Sequence, residues 1–543
     1  MDFRSAAQQS AEPSVSAAAL IERTAGSHRL LRETARPRVP RSWPLLAILA
    51  VQTLLSLRLI RADTAFQDEA EYLWAGHLEW AHLLHGTPLP QFPAYFSGAP
   101  VLYPPVGALA DSVGGLAGAR ILSLAFMLGA TAALWATAGR LFGRRAAFFA
   151  AALFAVFGPT LHLGAFATFD AMAVFFVALA AWLVVRAGDQ QDATGWMVAA
   201  GVALALADAI SYPTTLLDPV VILLALFVAF PTLRGKLAAA RALTILAIVA
   251  VLLTVALLIG GSRYLHGIET TTLARAAGSD SPLTIVGSFW SWTAIIIVAA
   301  VCGVVVSWVT QPNSAQTWLL TTLAVAVVLV PAEQASLHTT ASLNKHGALG
   351  AWFAAIAAGY AVDRFVAAAP AGNKRTITCG ACVVALSFPV TLGFTQSWVF
   401  STSWPNSSAF IAILRPLADN STGQLLVEDP SIAEYYLPAG SQWMRWSSTR
   451  NITLPSGAPT GGPSDKAGIV GPGNAGTFAL YISEGYFSLI ALNFTDTTSL
   501  DHALAADIHR NRHYHTIEVV PYGPGPAGPA SGTWVIWQYQ RRS

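Results

Sequence analysis

The sequence predicts a polytopic α-helical membrane protein carrying a C-terminal soluble α/β domain, and three observations lead there. Of its 543 residues, 54% are hydrophobic and only 11% charged, whereas an ordinary soluble domain carries about 25% charge. Several stretches, such as 242–261, run for about 17–25 residues with almost no charge, the length a helix needs to cross the hydrocarbon core. Their apolar residues are continuous instead of alternating, which favours helices over the strands of a barrel. After Phe394 the character changes to Pro, Gly, Asn and Ser clusters between short apolar runs, the pattern of a folded α/β region.

Residues 1–42 are rich in Ala, Ser and Arg and contain no long apolar run, so they read as a disordered cytoplasmic tail. Arg29, Arg32, Arg36, Arg38 and Arg41 crowd its end. Basic residues stay on the cytoplasmic side, so the first span, 43–60, leaves the cytoplasm. Further spans are expected at 116–138, 146–163, 169–186, 196–211, 214–231, 242–261, 284–308, 317–332, 346–362 and 376–395, about eleven in all. On that count Arg140, Arg144 and Arg145, then Arg234, Lys236 and Arg241, then Arg364, Lys374 and Arg375 all fall in cytoplasmic connections. The expected organisation is the tail 1–42, a membrane domain 43–395 with a long first outer loop 61–115, and an extracytoplasmic α/β domain 396–543. Strands are expected at QLLVED, FALYI, HTIEVV and TWVIWQY. The three cysteines, Cys302, Cys379 and Cys382, lie in apolar runs and read as small core residues.

Candidate chemistry gathers on the outer face of this topology. FQDEAEYLWAGH sets Asp68, Glu69 and Glu71 just beyond the first span, where acids also serve simply to start a helix. GAFATFDAM puts Asp170 in the short connection before the span at 169–186; a helix cap is the plainer role for such an acid. Two carboxylates meeting in one membrane-level cavity can divide the work, one taking an acceptor proton while the other holds hydroxyls. A departing phosphate needs a cation, and ASLNKHGALG offers Lys345 and His346 at the mouth of the span at 346–362, with Glu333 and His338 nearby. A snorkelling lysine is the alternative there. Asp208 and Asp218 flank the Ser211, Tyr212, Pro213 turn; buried intramembrane acids are also what a proton-coupled transporter shows. His509, His513 and His515 carry no accompanying acid or cysteine pattern and read as a polar face, not a zinc site. No phosphate-cradling glycine loop, dinucleotide fingerprint or nucleophile elbow is present, which argues against an ATP-driven pump and a soluble nucleotide-sugar enzyme.

Adjacent Asp68 and Glu69 past the first span, the Tyr103, Pro104, Pro105 triplet, and Asp170 further on together resemble the GT-C class of membrane glycosyltransferases. Within it the likeness is to the bacterial relatives of protein O-mannosyltransferases and of lipid A aminoarabinose transferase (glycosyltransferase family 39-like). The resemblance implies a polyprenyl-phosphate sugar donor, transfer outside the cytoplasm to a protein, lipid or cell-envelope glycan, and inverting displacement without a covalent enzyme intermediate. It implies that Asp68 is the catalytic acid-base residue, with Glu69 and Asp170 beside it. Where the aminoarabinose transferases usually place a lysine before the paired prolines, Tyr103 stands here. Lys345 and His346 are therefore the expected phosphate-binding pair, with Tyr103 and His338 as further substrate-binding candidates. No cofactor is implied for certain, and a divalent metal is compatible with the chemistry. The expected partners are the donor lipid, an unknown extracytoplasmic acceptor and the bilayer of the plasma membrane, with no nucleic acid. A proton-coupled transporter and a non-catalytic envelope-assembly scaffold are the alternatives. The absence of two related halves speaks against the first, and acids on two separate outer loops against the second.

Overall fold

A computed structural model describes residues 42–90, 92, 96, 101–188, 190–231, 233, 235–269, 277–437, 442–450, 452–453, 459–460, 475–522 and 531–540. The expected tail lies outside these residues, apart from Ser42. Among the described residues eight helical segments are long and apolar enough to cross a membrane. They are α3 (Tyr103–Phe142), α6 (Phe169–Arg186), Tyr212–Ala229, α9 (Gly235–Ile268), α10 (Pro282–Thr310), α11 (Ala315–Ser336), α12 (Leu343–Ala368) and Asn373–Phe400. The Tyr212–Ala229 segment is a 3-10 turn (Tyr212–Leu217) running into α8 (Asp218–Ala229), and Asn373–Phe400 comprises α13 (Asn373–Ala385) and α14 (Ser387–Phe400). α1 (Trp43–Leu57) and α7 (Thr194–Ile210) are apolar but shorter. The chain is a multi-pass membrane protein.

Most expected spans fall on helices, with two differences. The stretch 146–163 is broken at Val156 and Phe157 into α4 (Arg144–Ala155) and α5 (Gly158–Leu163), because Pro159 opens a new helix and Phe157 is extended (ψ 133°). The stretch 61–115 holds α2 (Gln67–His85) and the first turns of α3, whose backbone leaves helical geometry at Gly115 (φ 61°). A left-handed residue of this kind is readily supplied by glycine, and the membrane-length apolar part begins beyond it.

Helix α12 is the centre of the bundle. It is rich in Ala and Gly, and its first two-thirds are almost entirely buried. A Cβ on Gly359 would stand 2.4 Å from Ala146 O, so only glycine lets α12 approach α4 this closely. Gly76 does the same for α2, where a Cβ would meet Pro104 O at 2.0 Å. These two contacts fix the helix that begins with Asp68 and the helix that begins beside Lys345.

The C-terminal region is a five-stranded mixed sheet in the order β2-β1-β5-β7-β6. Its strands are β1 (Gln424–Val427), β2 (Trp446–Ser447), β5 (Phe487–Leu492), β6 (Tyr514–Tyr522) and β7 (Gly532–Tyr539), while β3 (Ile452–Thr453) pairs separately with β4 (Pro459–Thr460). β1 runs parallel to β2 and β5, and the β5/β7 and β6/β7 pairs are antiparallel. Side chains alternate between two cores. Leu425, Val427, Leu489 and Ala491 face α15 (Ser408–Asp419) and α16 (Ser431–Tyr436), whereas Leu426, Ile490 and Leu492 face α17 (Ala475–Ser483) and α18 (Thr498–Arg510). FALYI, expected as a strand, is helical within α17, and Phe478 and Ile482, one helical turn apart, are the pair it buries. The strand in that neighbourhood is FSLIAL, after Gly485 (φ 68°) ends the helical stretch. The cysteines are free and do not sit in the core, Cys302 being exposed on an apolar helix face.

Candidate active site

Three chain segments bring the candidate residues together. Phe66 ends an irregular connection in extended geometry, so Asp68 emerges in the first turn of α2, and Asp170 stands in the first turn of α6. Lys345 and His346 open α12. Lys345 Nζ lies 2.5 Å from Asp68 Oδ2 and 3.9 Å from Asp170 Oδ2, and His346 Nε2 is 3.6 Å from Asp170 Oδ1. Thr168 Oγ1 donates to Asp170 Oδ2 at 2.8 Å. His346 Nδ1 and Gln334 Nε2 are 3.1 Å apart, and the Lys345 ammonium sits 5.7 Å from the Phe166 ring centroid. Lys345 is 6% exposed and Asp170 2%. Buried charges persist when paired, and here one ammonium answers two carboxylates.

Asp68, Lys345, His346 and Gln334 border a cavity of about 550 Å³, and Asp170 stands behind them, outside its lining. Asp68, Lys345, His346 and Gln334 supply its polar wall, and Phe66, Tyr72, Phe166, Tyr212, Phe400 and Trp404 much of its aromatic wall. Gln67, His162, Glu333 and Asn344 add further polar groups to the lining, and a hollow walled by aromatic rings with convergent polar groups is the usual form of a ligand site. Burial, with Asp68 and Glu71 nearby, raises the Tyr72 hydroxyl well above its ordinary range, so it stays a neutral hydrogen-bonding group.

The other candidates are placed differently. Glu69 does not line the cavity; it is fully buried and grips Arg120 through Nε at 2.8 Å and a terminal nitrogen at 2.6 Å. Its oxygens also accept from Phe66 N (3.0 Å) and Ala167 N (2.7 Å). Arg120 spends its remaining donors on the carbonyls of Ile60, Asp63 and Thr64. A carboxylate with both oxygens engaged in this way anchors the framework, unlike the catalytic role expected of it. Tyr103 is buried among Tyr72, Phe96 and Phe169 behind the cavity wall. His338 sits in left-handed geometry (φ 52°) with its ring against Asp280 O, away from the polar wall. Asp208 Oδ1 accepts from Thr214 Oγ1 at 2.7 Å across the turn that brings Tyr212 to the cavity. His509 Nδ1 meets Ala505 O. Among the described residues no group of three or more His, Cys, Asp and Glu side chains is arranged to hold a metal ion.

The sequence did not single out Arg120, His162, Phe166, Gln334 or Trp404 as site residues. For Arg120 a signal existed: an arginine inside a long apolar helix needs a buried partner, and Glu69 is one of the few acids within reach. The aromatic residues carry no such signal.

Residues 108–259 match the family of dolichyl-phosphate-mannose-protein mannosyltransferases. The fold is similar to that of ArnT from Cupriavidus metallidurans, crystallised with undecaprenyl phosphate, with 15% identity, TM-score 0.58, and 92% of this chain and 98% of that one covered. It is also similar to the oligosaccharyltransferase of Archaeoglobus fulgidus, with 13% identity, TM-score 0.56, and 91% and 76% covered. The chain has the membrane fold that these two enzymes share. The A. fulgidus enzyme AglB, in complex with an inhibitory peptide and a dolichol-phosphate, is matched at 13% identity and TM-score 0.55, with 89% and 74% covered. A search of curated protein sequences found no match. The family match contains Arg120, Asp170 and the turn at Tyr212, while Asp68 and Lys345 lie outside it.

Proposed function

We propose that this protein is a glycosyltransferase that takes a sugar from a polyprenyl-phosphate donor and passes it to a hydroxyl on an extracytoplasmic acceptor, with Asp68 as general base. The observation that carries the reading is the contact of Lys345 with Asp68 and Asp170 at the wall of an aromatic cavity. An ammonium has three donors, so Lys345 can keep Asp68 and Asp170 while offering the third to a phosphate oxygen. The acceptor O–H gives its proton to Asp68, its oxygen attacks the anomeric carbon, and the bond from that carbon to the phosphate oxygen breaks with its electron pair leaving on the phosphate. Attack opposite the leaving group inverts the anomeric centre. Asp170, oriented by Thr168 and paired with His346, holds Lys345 in place. Glu69 and Arg120 keep the Asp68 connection in place.

This reading assigns residues 1–42 to the cytoplasm and the sheet region to the outside, as the basic connections require. Reporter fusions at Ser543 test the orientation, and an inactive alkaline phosphatase fusion would refute it. Incubating the purified protein with polyprenyl-phosphate hexoses and weighing the released lipid phosphate by mass spectrometry tests the reaction; no release with any donor or acceptor mixture counts against it. The fold of ArnT with undecaprenyl phosphate and of AglB with a dolichol-phosphate supports the donor class.

A further inference from the structure

The connection 61–66 that delivers Asp68 to the cavity belongs to no helix or strand that fixes it. Its polar groups are satisfied from outside, and in two different ways. Arg120 takes the carbonyls of Asp63 and Thr64, and Glu69 takes Phe66 N. The rest is held by residues that follow the last apolar helix. Trp404 Nε1 donates to Thr64 O at 3.0 Å, Ser407 N to Thr64 Oγ1 at 3.1 Å, and Asn406 Nδ2 to Asp63 Oδ1 at 2.8 Å. Ala65 N donates to Tyr436 OH at 2.8 Å. Trp404 also packs its ring, tilted, 5.2 Å from Phe66 and 5.8 Å from Phe166, the aromatic that faces Lys345.

We propose that Trp404 and Tyr436 are positioning residues for the transfer step, through which the C-terminal region fixes the Asp68 connection against Lys345. This rests on the proposed role of Asp68. The physical argument is one of reach. Asp68 follows Phe66 by two residues, so a slack connection moves the carboxylate directly, and displacement of a reacting group by about 1 Å can cost about 100-fold in rate. Thr64 O is shared between Arg120 and Trp404, and Ala65, 1% exposed, has Tyr436 as the acceptor for its N–H. Loss of either side-chain atom leaves a backbone group underbonded in a closed environment, and the connection relaxes to find another partner.

Tyr436→Phe deletes one polar atom and keeps its ring, while Trp404→Phe removes the indole nitrogen with part of the bicycle and keeps an aromatic ring at the cavity. In the full-length protein, assayed with a polyprenyl-phosphate hexose, each should lower kcat about 10-fold while donor KM stays within about twofold. Melting in detergent should stay within about 2 °C of wild type. A purely structural clamp would instead lower the melting temperature and leave kcat intact, and that result overturns the proposal. So does a rise in donor KM with kcat unchanged, which would make Trp404 a donor contact. Asp68→Asn measured alongside separates the two claims: if it transfers at the wild-type rate, the base assignment fails. If it is inactive and both aromatic variants keep full kcat, only the positioning role fails.

Discussion

Glu69→Gln is the sharpest perturbation of the framework because it preserves shape and removes one charge. Glu69 is fully buried and Arg120 is 1% exposed, so the substitution leaves a guanidinium without its counter-charge where water does not reach. Removing one partner of a buried pair typically costs about 3–5 kcal/mol. Arg120 keeps the carbonyls of Ile60, Asp63 and Thr64, which holds the loss toward the lower figure. The new amide also turns an N–H group toward Phe66 N or Ala167 N, both of which now donate to the carboxylate, and an unsatisfied buried donor costs about 1–3 kcal/mol. Taking about 3 kcal/mol as the floor, the connection to Asp68 opens roughly 100-fold more often, since 1.4 kcal/mol is a factor of ten. The variant should melt several degrees lower in detergent and transfer sugar at least about tenfold more slowly. Adding Arg120→Met should restore part of the melting temperature, because the stranded charge is gone. An unchanged melting temperature combined with lost transfer would refute this reasoning and return Glu69 to a direct chemical role.

Asp68→Asn, shown to be inserted and folded, should lower kcat by about 10²–10⁴-fold with donor affinity little changed, measured by steady-state transfer and by donor-dependent thermal shift. Lys345→Ala should both raise donor KM and lower kcat, because the ammonium meets the phosphate before and during its departure; an unchanged KM would exclude phosphate contact. Glu434 is 9% exposed on α16, where it faces Glu71 of α2 and Asp429, and burial followed by those like charges raises both glutamates well above their ordinary 4.5. Because the folded state holds these protons more tightly than the unfolded one, their contribution is present at low pH and is lost as pH rises from 4.5 through the raised values. Glu434→Gln should therefore flatten the fall of melting temperature on the alkaline side, and identical melting curves across the pH range would count against it.

The bundle and the site differ in how much of them could be read from the chain. Apolar length is a one-dimensional property, so 242–261 or 284–308 announced helices without any knowledge of neighbours. Asp68, Asp170 and Lys345 were found for a similar reason: each stands at a helix start next to an apolar run, where a charge is conspicuous. What joins them depends on which helices touch. Glu69 looked like Asp68 in sequence, yet one helical position, about 100°, turns it from the cavity to Arg120. FALYI was misread because a short apolar run fits a strand or one face of a helix equally, and Phe478 with Ile482 decides it by packing one turn apart. Trp404 gave no sign at all, since its partners are backbone groups 340 residues away.

On the proposed reaction, negative charge is not created in the site but carried across it. The donor is a phosphodiester with one charge, and the phosphate that leaves is a monoester gaining a second as the bond to the sugar breaks. Asp68 loses one charge in the same step by accepting the acceptor's proton. Lys345 touches Asp68 directly and has a donor to spare for the phosphate. The ammonium therefore faces the same total charge before and after transfer, while its distribution shifts from carboxylate to phosphate. A cation so placed strengthens its hold on the leaving group as the bond breaks. Stabilisation that grows only along the reaction lowers the barrier, unlike binding that is equal throughout. Asp170, nearly closed off and 3.9 Å from the same nitrogen, keeps Lys345 from following the departing phosphate, so the site recovers its starting arrangement once the lipid phosphate has gone.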